Sequence, residues 1–153
     1  MTVLMKKRIE EKLGEILIRQ GAISKQMLED ALQEQAVSGG LVGEILIKKG
    51  HVSELDISQA IAAQYGFPFI SVENYDVNPL AVKLLSEDKA REFGVLPMDV
   101  IGNVFMVAMA NPMNNKAIDE IGIITQKKVQ VFLAVMTAIK TAIDKVYADV
   151  RNK

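Results

Sequence analysis

Two glycines and two glutamines, placed at equivalent positions in separate parts of the chain, are the residues best suited to contact a ligand. Gly14 and Gly43 are 29 residues apart, and so are Gln35 and Gln64. A glycine inside a helix costs about 0.5 to 1 kcal/mol relative to alanine, so its recurrence suggests that something approaches the backbone closely. The glutamine amide can both donate and accept hydrogen bonds. Tight helix packing would explain the glycines equally well, and a boundary residue or helix cap would explain the glutamines, so both interpretations stay open.

These four residues belong to an internal repeat. Residues 12–35 align with residues 41–64 without a gap, and a five-residue spacer, 36–40, separates the two copies. Nine aligned pairs are identical and five more are chemically similar. Apolar residues recur at helical spacing within each copy, Gly21 and Gly50 are predicted helix stops, and Ser24 and Ser53 are predicted helix N-caps. Each copy is therefore predicted to form a helical hairpin.

The second half of the chain has a different pattern. Continuous apolar runs predict strands, and Gly102 and Asn103 predict a tight hairpin turn between the first two. A helix precedes the third strand, and a crossover of this length implies parallel pairing. The predicted strands are residues 95–100, 104–109 and 129–133, and the predicted helices are residues 80–85, 87–93, 117–124 and 137–147.

These patterns together predict an α+β fold. An N-terminal all-helical tandem repeat, with two 24-residue motifs and a five-residue spacer, is joined to a small α/β layer with a three-stranded mixed sheet. The predicted subdomains are residues 1–71 and 72–153. Residues 67–71 are expected to be extended because of Pro68.

Composition argues against several functional classes. The 18 basic and 19 acidic side chains give a formal net charge of -1, which offers no electrostatic reason to bind a nucleic acid polymer. The chain has no cysteine and one histidine, so we expect neither disulfides nor a metal site. Its longest apolar run, residues 104–110, is too short for membrane insertion, and we expect a cytoplasmic protein. No glycine precedes a lysine, so the G-x-x-x-x-G-K-[ST] phosphate-binding loop does not occur.

The repeat resembles the double motif of the MshEN family, the N-terminal domain of type II secretion and type IV pilus assembly ATPases. The family pattern is Arg-Leu-Gly, two aliphatic residues, Gly, two aliphatic residues, two spaced leucines and a final Gln, repeated after five residues. Downstream, residues 94–97, 109–112 and 117–120 resemble the second half of the same family, so the resemblance covers residues 10–147.

The resemblance implies a non-enzymatic regulatory and docking domain. Such a domain couples an ATPase motor, on a downstream domain or another chain, to an inner-membrane platform protein, and lies at the inner membrane through that partner. An alternative is a cyclic di-GMP receptor, in which each motif contacts half of the two-fold ligand; no other cofactor and no catalytic residue is implied. The residues that the resemblance assigns to this ligand are Lys12, Leu13, Gly14, Leu17, Gly21, Ile23, Leu28, Leu32 and Gln35, with Leu41, Val42, Gly43, Leu46, Gly50, Val52, Ile57, Ile61 and Gln64 in the second copy.

The first position of each motif departs from the family pattern, because Lys12 and Leu41 stand where the family has arginine. Arginine stacks on a base and binds phosphate through two parallel hydrogen bonds, whereas lysine supplies a point charge and leucine neither. We therefore expect weak binding of cyclic di-GMP or none, unless Arg8 or Arg19 supplies the missing contact from a neighbouring turn.

Overall fold

The structure is a computed structural model that describes residues 13–112 and 114–151. The chain divides between Gly66 and Phe67 into two compact units. This division precedes the predicted boundary after residue 71, because the extended segment 67–71 pairs with a strand of the second unit. The Ile70 N–H donates to the Leu133 carbonyl at 2.9 Å, and the Leu133 N–H donates to the Pro68 carbonyl at 2.8 Å.

The described part of the first unit consists of four helices. They are α1 over residues 13–19, α2 (Lys25–Ser38), α3 (Val42–Lys48) and α4 (Glu54–Tyr65). Helices α2 and α4 begin at equivalent positions of the two aligned segments, each after a serine N-cap. The side-chain oxygens of Ser24 and Ser53 accept hydrogen bonds at 3.1 and 3.0 Å from the backbone N–H three residues further on.

The core of the first unit is built from aligned residues. Its buried apolar residues form five pairs with the offset of the sequence repeat, namely Leu13 and Val42, Ile16 and Ile45, Leu17 and Leu46, Ile23 and Val52, and Ala31 and Ala60. Because the same positions of each segment face inward, equal apolar spacing has produced equal packing faces.

The second unit combines a sheet with helices on its surface. Its elements are a 3₁₀ turn (Val72–Asn74), α5 (Pro79–Leu84), α6 (Glu87–Phe93), β1 (Val95–Ile101), β2 (Val104–Met109), α7 (Asn115–Thr125), β3 (Lys128–Leu133) and α8 (Met136–Arg151). Strand β2 pairs antiparallel with β1 and parallel with β3. The predicted α+β character and three-stranded mixed sheet are confirmed, and α8 extends beyond the predicted range of 137–147 at both ends.

Helix α8 anchors the second unit through one buried face. Ile139, Ile143 and Tyr147 are its buried side chains, and the Tyr147 hydroxyl donates a hydrogen bond of 2.7 Å to the Leu85 carbonyl. Burial, with a smaller contribution from the charge of Glu87, raises the pKa of Tyr147 far above its usual range. Within the described ranges, no helix has the length and apolar character needed to cross a bilayer.

Candidate functional site

The turn between the two helices of each aligned segment has the same geometry in both segments. Gly21 and Gly50 have φ angles of 74° and 79°, in the left-handed region that glycine enters without strain. The following residues, Ala22 and His51, donate their N–H groups to the carbonyls of Leu17 at 2.9 Å and of residue 46 at 3.0 Å. The helix stops predicted at these glycines therefore coincide with residues in the left-handed conformation, where α1 and α3 end.

The two helical glycines differ in how closely they pack against the helix that follows. A Cβ atom added at Gly14 would lie 2.7 and 2.8 Å from the two methyl carbons of Leu28, and one added at Gly43 would lie 3.2 Å from Cδ1 of Ile57. Leu28 and Ile57 are themselves aligned residues. Of the two interpretations left open by the sequence, close helix packing accounts for Gly14 without a ligand, whereas the looser contact at Gly43 does not require a glycine.

The aliphatic residues assigned to a ligand divide into a buried set and an accessible set. The buried set comprises Leu13, Leu17, Ile23, Val42, Leu46 and Val52. Leu28, Ile57 and Ile61 are partly buried, and Leu32 is 38% exposed. Residues of the buried set hold the hairpins together, so direct contact with a ligand is open only to the accessible set.

The polar and charged motif positions are not equivalent in the two segments. The Gln35 amide donates a hydrogen bond of 3.0 Å to the Gly40 carbonyl and so closes the spacer, whereas Gln64 is exposed. Leu41 is the N-cap residue of α3, without a capping hydrogen bond from its side chain. Lys12 lies outside the described residues. The repeat is therefore symmetrical in its core and asymmetrical in its polar side chains.

A shallow pocket of about 250 Å³ lies between α1 and α4. It is lined by Ile16, Arg19, Gln20, Ala63 and Gln64. The two helices belong to different aligned segments, so this pocket brings the final glutamine of the second motif beside an arginine of the first. Arginine and glutamine side chains together present several hydrogen-bond donors and one acceptor to a ligand.

The second unit holds a deeper cavity of about 320 Å³ between α8 and residues 72–79. Apolar side chains from both elements line it, together with Glu73, Asp76, Lys145 and Asp149. Burial, followed by the charges of nearby aspartates, raises the pKa of Tyr75 in its wall. Sequence reasoning missed this cavity because its two walls are about 70 residues apart and neither carries a recognisable motif. The described ranges contain no cluster of acidic or histidine side chains that could hold a metal ion.

Comparison with known proteins identifies a family model that matches this chain. The family model of the MshEN domain matches residues 65–153. Among curated proteins, the type IV pilus assembly ATPase PilB of Myxococcus xanthus is 33% identical over 138 residues, which span 90% of this chain and 24% of that protein. PilB of Thermus thermophilus is 33% identical over 150 residues, spanning 78% of this chain and 17% of that protein. The chain therefore spans a quarter or less of these relatives.

Solved structures share the fold. The structure of MshE with cdg, cyclic di-GMP, matches with a TM-score of 0.79 and 28% identity, covering 88% of this chain and 98% of that one. A structure of the N-terminal domain of XpsE matches with a TM-score of 0.66 at 20% identity over 88% of this chain and 93% of that one, and supports the fold alone. A second crystal form of the XpsE domain gives a TM-score of 0.57 at 25% identity, covering 89% of this chain and 95% of that one.

Proposed function

Because the chain belongs to the MshEN domain family, we propose that it is a regulatory and docking domain that couples a secretion or pilus ATPase motor to its inner-membrane platform protein. The observation that carries this proposal is that the chain matches 24% and 17% of two pilus assembly ATPases and shares its fold with the N-terminal domain of XpsE. Its own sequence has no phosphate-binding loop. In this role the domain works in the cytoplasm, at the membrane only through its partner.

Exposed apolar side chains of the first unit support a docking surface there. Leu32, Val37, Ile47 and Leu55 are 38%, 88%, 38% and 44% exposed, respectively. We expect them to contribute to one contiguous apolar patch, because such patches on soluble domains mark protein interaction sites. Each apolar side chain buried on docking contributes on the order of 1.5 kcal/mol.

The docking proposal can be tested by calorimetry with the cytoplasmic region of the platform protein. We expect Val37→Ser combined with Leu55→Ser to weaken binding at least tenfold, which corresponds to about 1.4 kcal/mol. Ile123→Ser is the matched control, because Ile123 is also an exposed aliphatic residue, at 70%, but belongs to the second unit. If Ile123→Ser lowers the affinity equally, the docking surface does not lie specifically on the first unit. If the wild type does not bind the platform protein, the docking role is refuted.

Binding of cyclic di-GMP by the two motifs is a second candidate function. It is favoured by the similarity to MshE, whose structure contains that ligand, over most of both chains. The gapless alignment of residues 12–35 with residues 41–64 also suits a ligand with two equivalent halves. Titration of the wild-type chain with cyclic di-GMP tests this role, and a linear guanine dinucleotide serves as the control for recognition of the ring.

A further inference from the structure

Arg19 and Gln64 are polar side chains that different aligned segments of the first unit contribute to one pocket. They line the same pocket between α1 and α4, and both are exposed. Neither has a hydrogen-bonding or ionic partner among the residues that the structure describes. Their donor groups are therefore not engaged by any residue of the described ranges 13–112 and 114–151.

The aligned positions in the other copy, Lys48 and Gln35, do not form a corresponding pair. Lys48, the counterpart of Arg19, also lies in the last turn of its helix, where any cation interacts favourably with the helix dipole. The dipole thus explains a basic residue at both positions but not the pairing with a glutamine. Gln35, the counterpart of Gln64, donates its amide to the Gly40 carbonyl of the spacer. The arginine and glutamine pair is consequently a property of one side of the repeat.

The chemistry of this pair selects a particular kind of ligand group. The guanidinium fork donates two parallel hydrogen bonds to two adjacent acceptors, as offered by O6 and N7 of guanine or by two phosphate oxygens. Adenine presents one acceptor and one donor at the same edge and cannot accept both bonds. The glutamine amide adds a further donor and an acceptor.

We propose that Arg19 and Gln64 bind one guanine edge or one phosphate of a cyclic dinucleotide through the paired hydrogen bonds of the guanidinium group. This inference rests on the second candidate function above. The pocket volume of about 250 Å³ is below the range of roughly 300 to 1,000 Å³ typical of sites that enclose a drug-sized ligand. The pocket therefore holds one group of the ligand, while the remainder lies across the surface of the repeat.

The test compares Arg19→Ala with Lys48→Ala by calorimetric titration at one salt concentration, using cyclic di-GMP and cyclic di-AMP as probes. Both variants remove a cation from a helix C-terminus, but only the first changes the pocket. We expect Arg19→Ala to weaken cyclic di-GMP binding at least tenfold and Lys48→Ala to change it less than twofold. Thermal unfolding of each variant checks that both remain folded, as expected for substitutions of exposed residues.

The probes separate the two acceptor groups. If Arg19 binds guanine, the wild type prefers cyclic di-GMP and Arg19→Ala loses that preference; if it binds phosphate, both dinucleotides weaken together. In either case Arg19→Lys, which keeps the charge but not the fork, should recover only part of the affinity. If Arg19→Ala binds cyclic di-GMP as tightly as the wild type does, the inference about Arg19 is wrong but the receptor function still holds. Absence of wild-type binding would overturn both the inference and the receptor function.

Discussion

Alanine substitutions at the two helical glycines should have different effects on stability although their sequence contexts match. At Gly14 the new Cβ would lie 2.7 and 2.8 Å from both methyl carbons of Leu28, so that side chain must move. Overpacking of this kind lowers the free energy of unfolding by about 1 to 3 kcal/mol, and replacing a helical glycine with alanine raises it by about 0.5 to 1 kcal/mol. We expect Gly14→Ala to lower the free energy of unfolding by about 1 kcal/mol.

At Gly43 the new Cβ would lie 3.2 Å from the terminal methyl carbon of Ile57, and its other neighbour, Cδ2 of Leu13, is at an ordinary contact distance of 3.6 Å. A shift of a few tenths of an ångström relieves this contact, so the gain in helix propensity dominates. We expect Gly43→Ala to range from neutral to about 1 kcal/mol more stable. Urea unfolding followed by far-UV circular dichroism measures both variants under the same conditions.

A double-mutant cycle tests the cause of the difference. In a Leu28→Ala background the side chain that clashes with residue 14 is absent, so Gly14→Ala should become stabilising by about 0.5 to 1 kcal/mol. If Gly14→Ala is equally destabilising in both backgrounds, contact with Leu28 is not the cause. If both glycine variants instead leave stability unchanged and abolish cyclic di-GMP binding, the glycines serve the ligand and the packing explanation is wrong.

Three other changes have expected outcomes. Restoring both arginines of the family pattern, Lys12→Arg with Leu41→Arg, should strengthen cyclic di-GMP binding more than any other pair of substitutions in the repeat. The expected gain in a calorimetric titration is at least tenfold, because a hydrogen bond to a charged group contributes about 1.5 to 3 kcal/mol. Because the pKa of Tyr147 is raised on folding, stability should fall as the pH rises above about 10, where the unfolded tyrosine ionises, and urea unfolding of Tyr147→Phe should show a smaller decrease. The pKa of Glu87 is lowered, first by its hydrogen bond from Arg91, so an NMR titration should place this carboxyl below its usual range, and Arg91→Ala should raise it.

The secondary structure and the family could be predicted because both depend on patterns within short segments of the sequence. The run from Val104 to Met109 is apolar throughout and forms the central strand, with a neighbour on each side. The glycine stops and serine caps of the repeat determine where its helices turn. Membership of the MshEN family is confirmed by the family model, which matches residues 65–153, whereas the double motif of residues 12–64 precedes that match.

The polar side of the candidate site could not be predicted in the same way. Gln35 and Gln64 occupy the same motif position, but only Gln35 is followed at the spacer by Gly40, whose φ of 91° presents its carbonyl to the amide. The residue aligned with Gly40 is Phe69, which pairs with β3 instead. The proximity of Arg19 to Gln64 likewise depends on how two separate helices pack, which the sequence of neither helix determines.

The pairing of Phe69 with Leu133 sets the order in which parts of the chain can fold. It closes a loop of about 64 residues, whereas contacts such as Gly14 with Leu28 close about 14, so its closure entropy is about 1.3 kcal/mol less favourable. During synthesis, the hairpins of the first unit can form from short-range contacts as soon as they emerge. The second unit must wait until β3 has emerged to pair with residues 67–71. We expect the helical repeat to be the early-folding part of the nascent chain and the sheet to complete later.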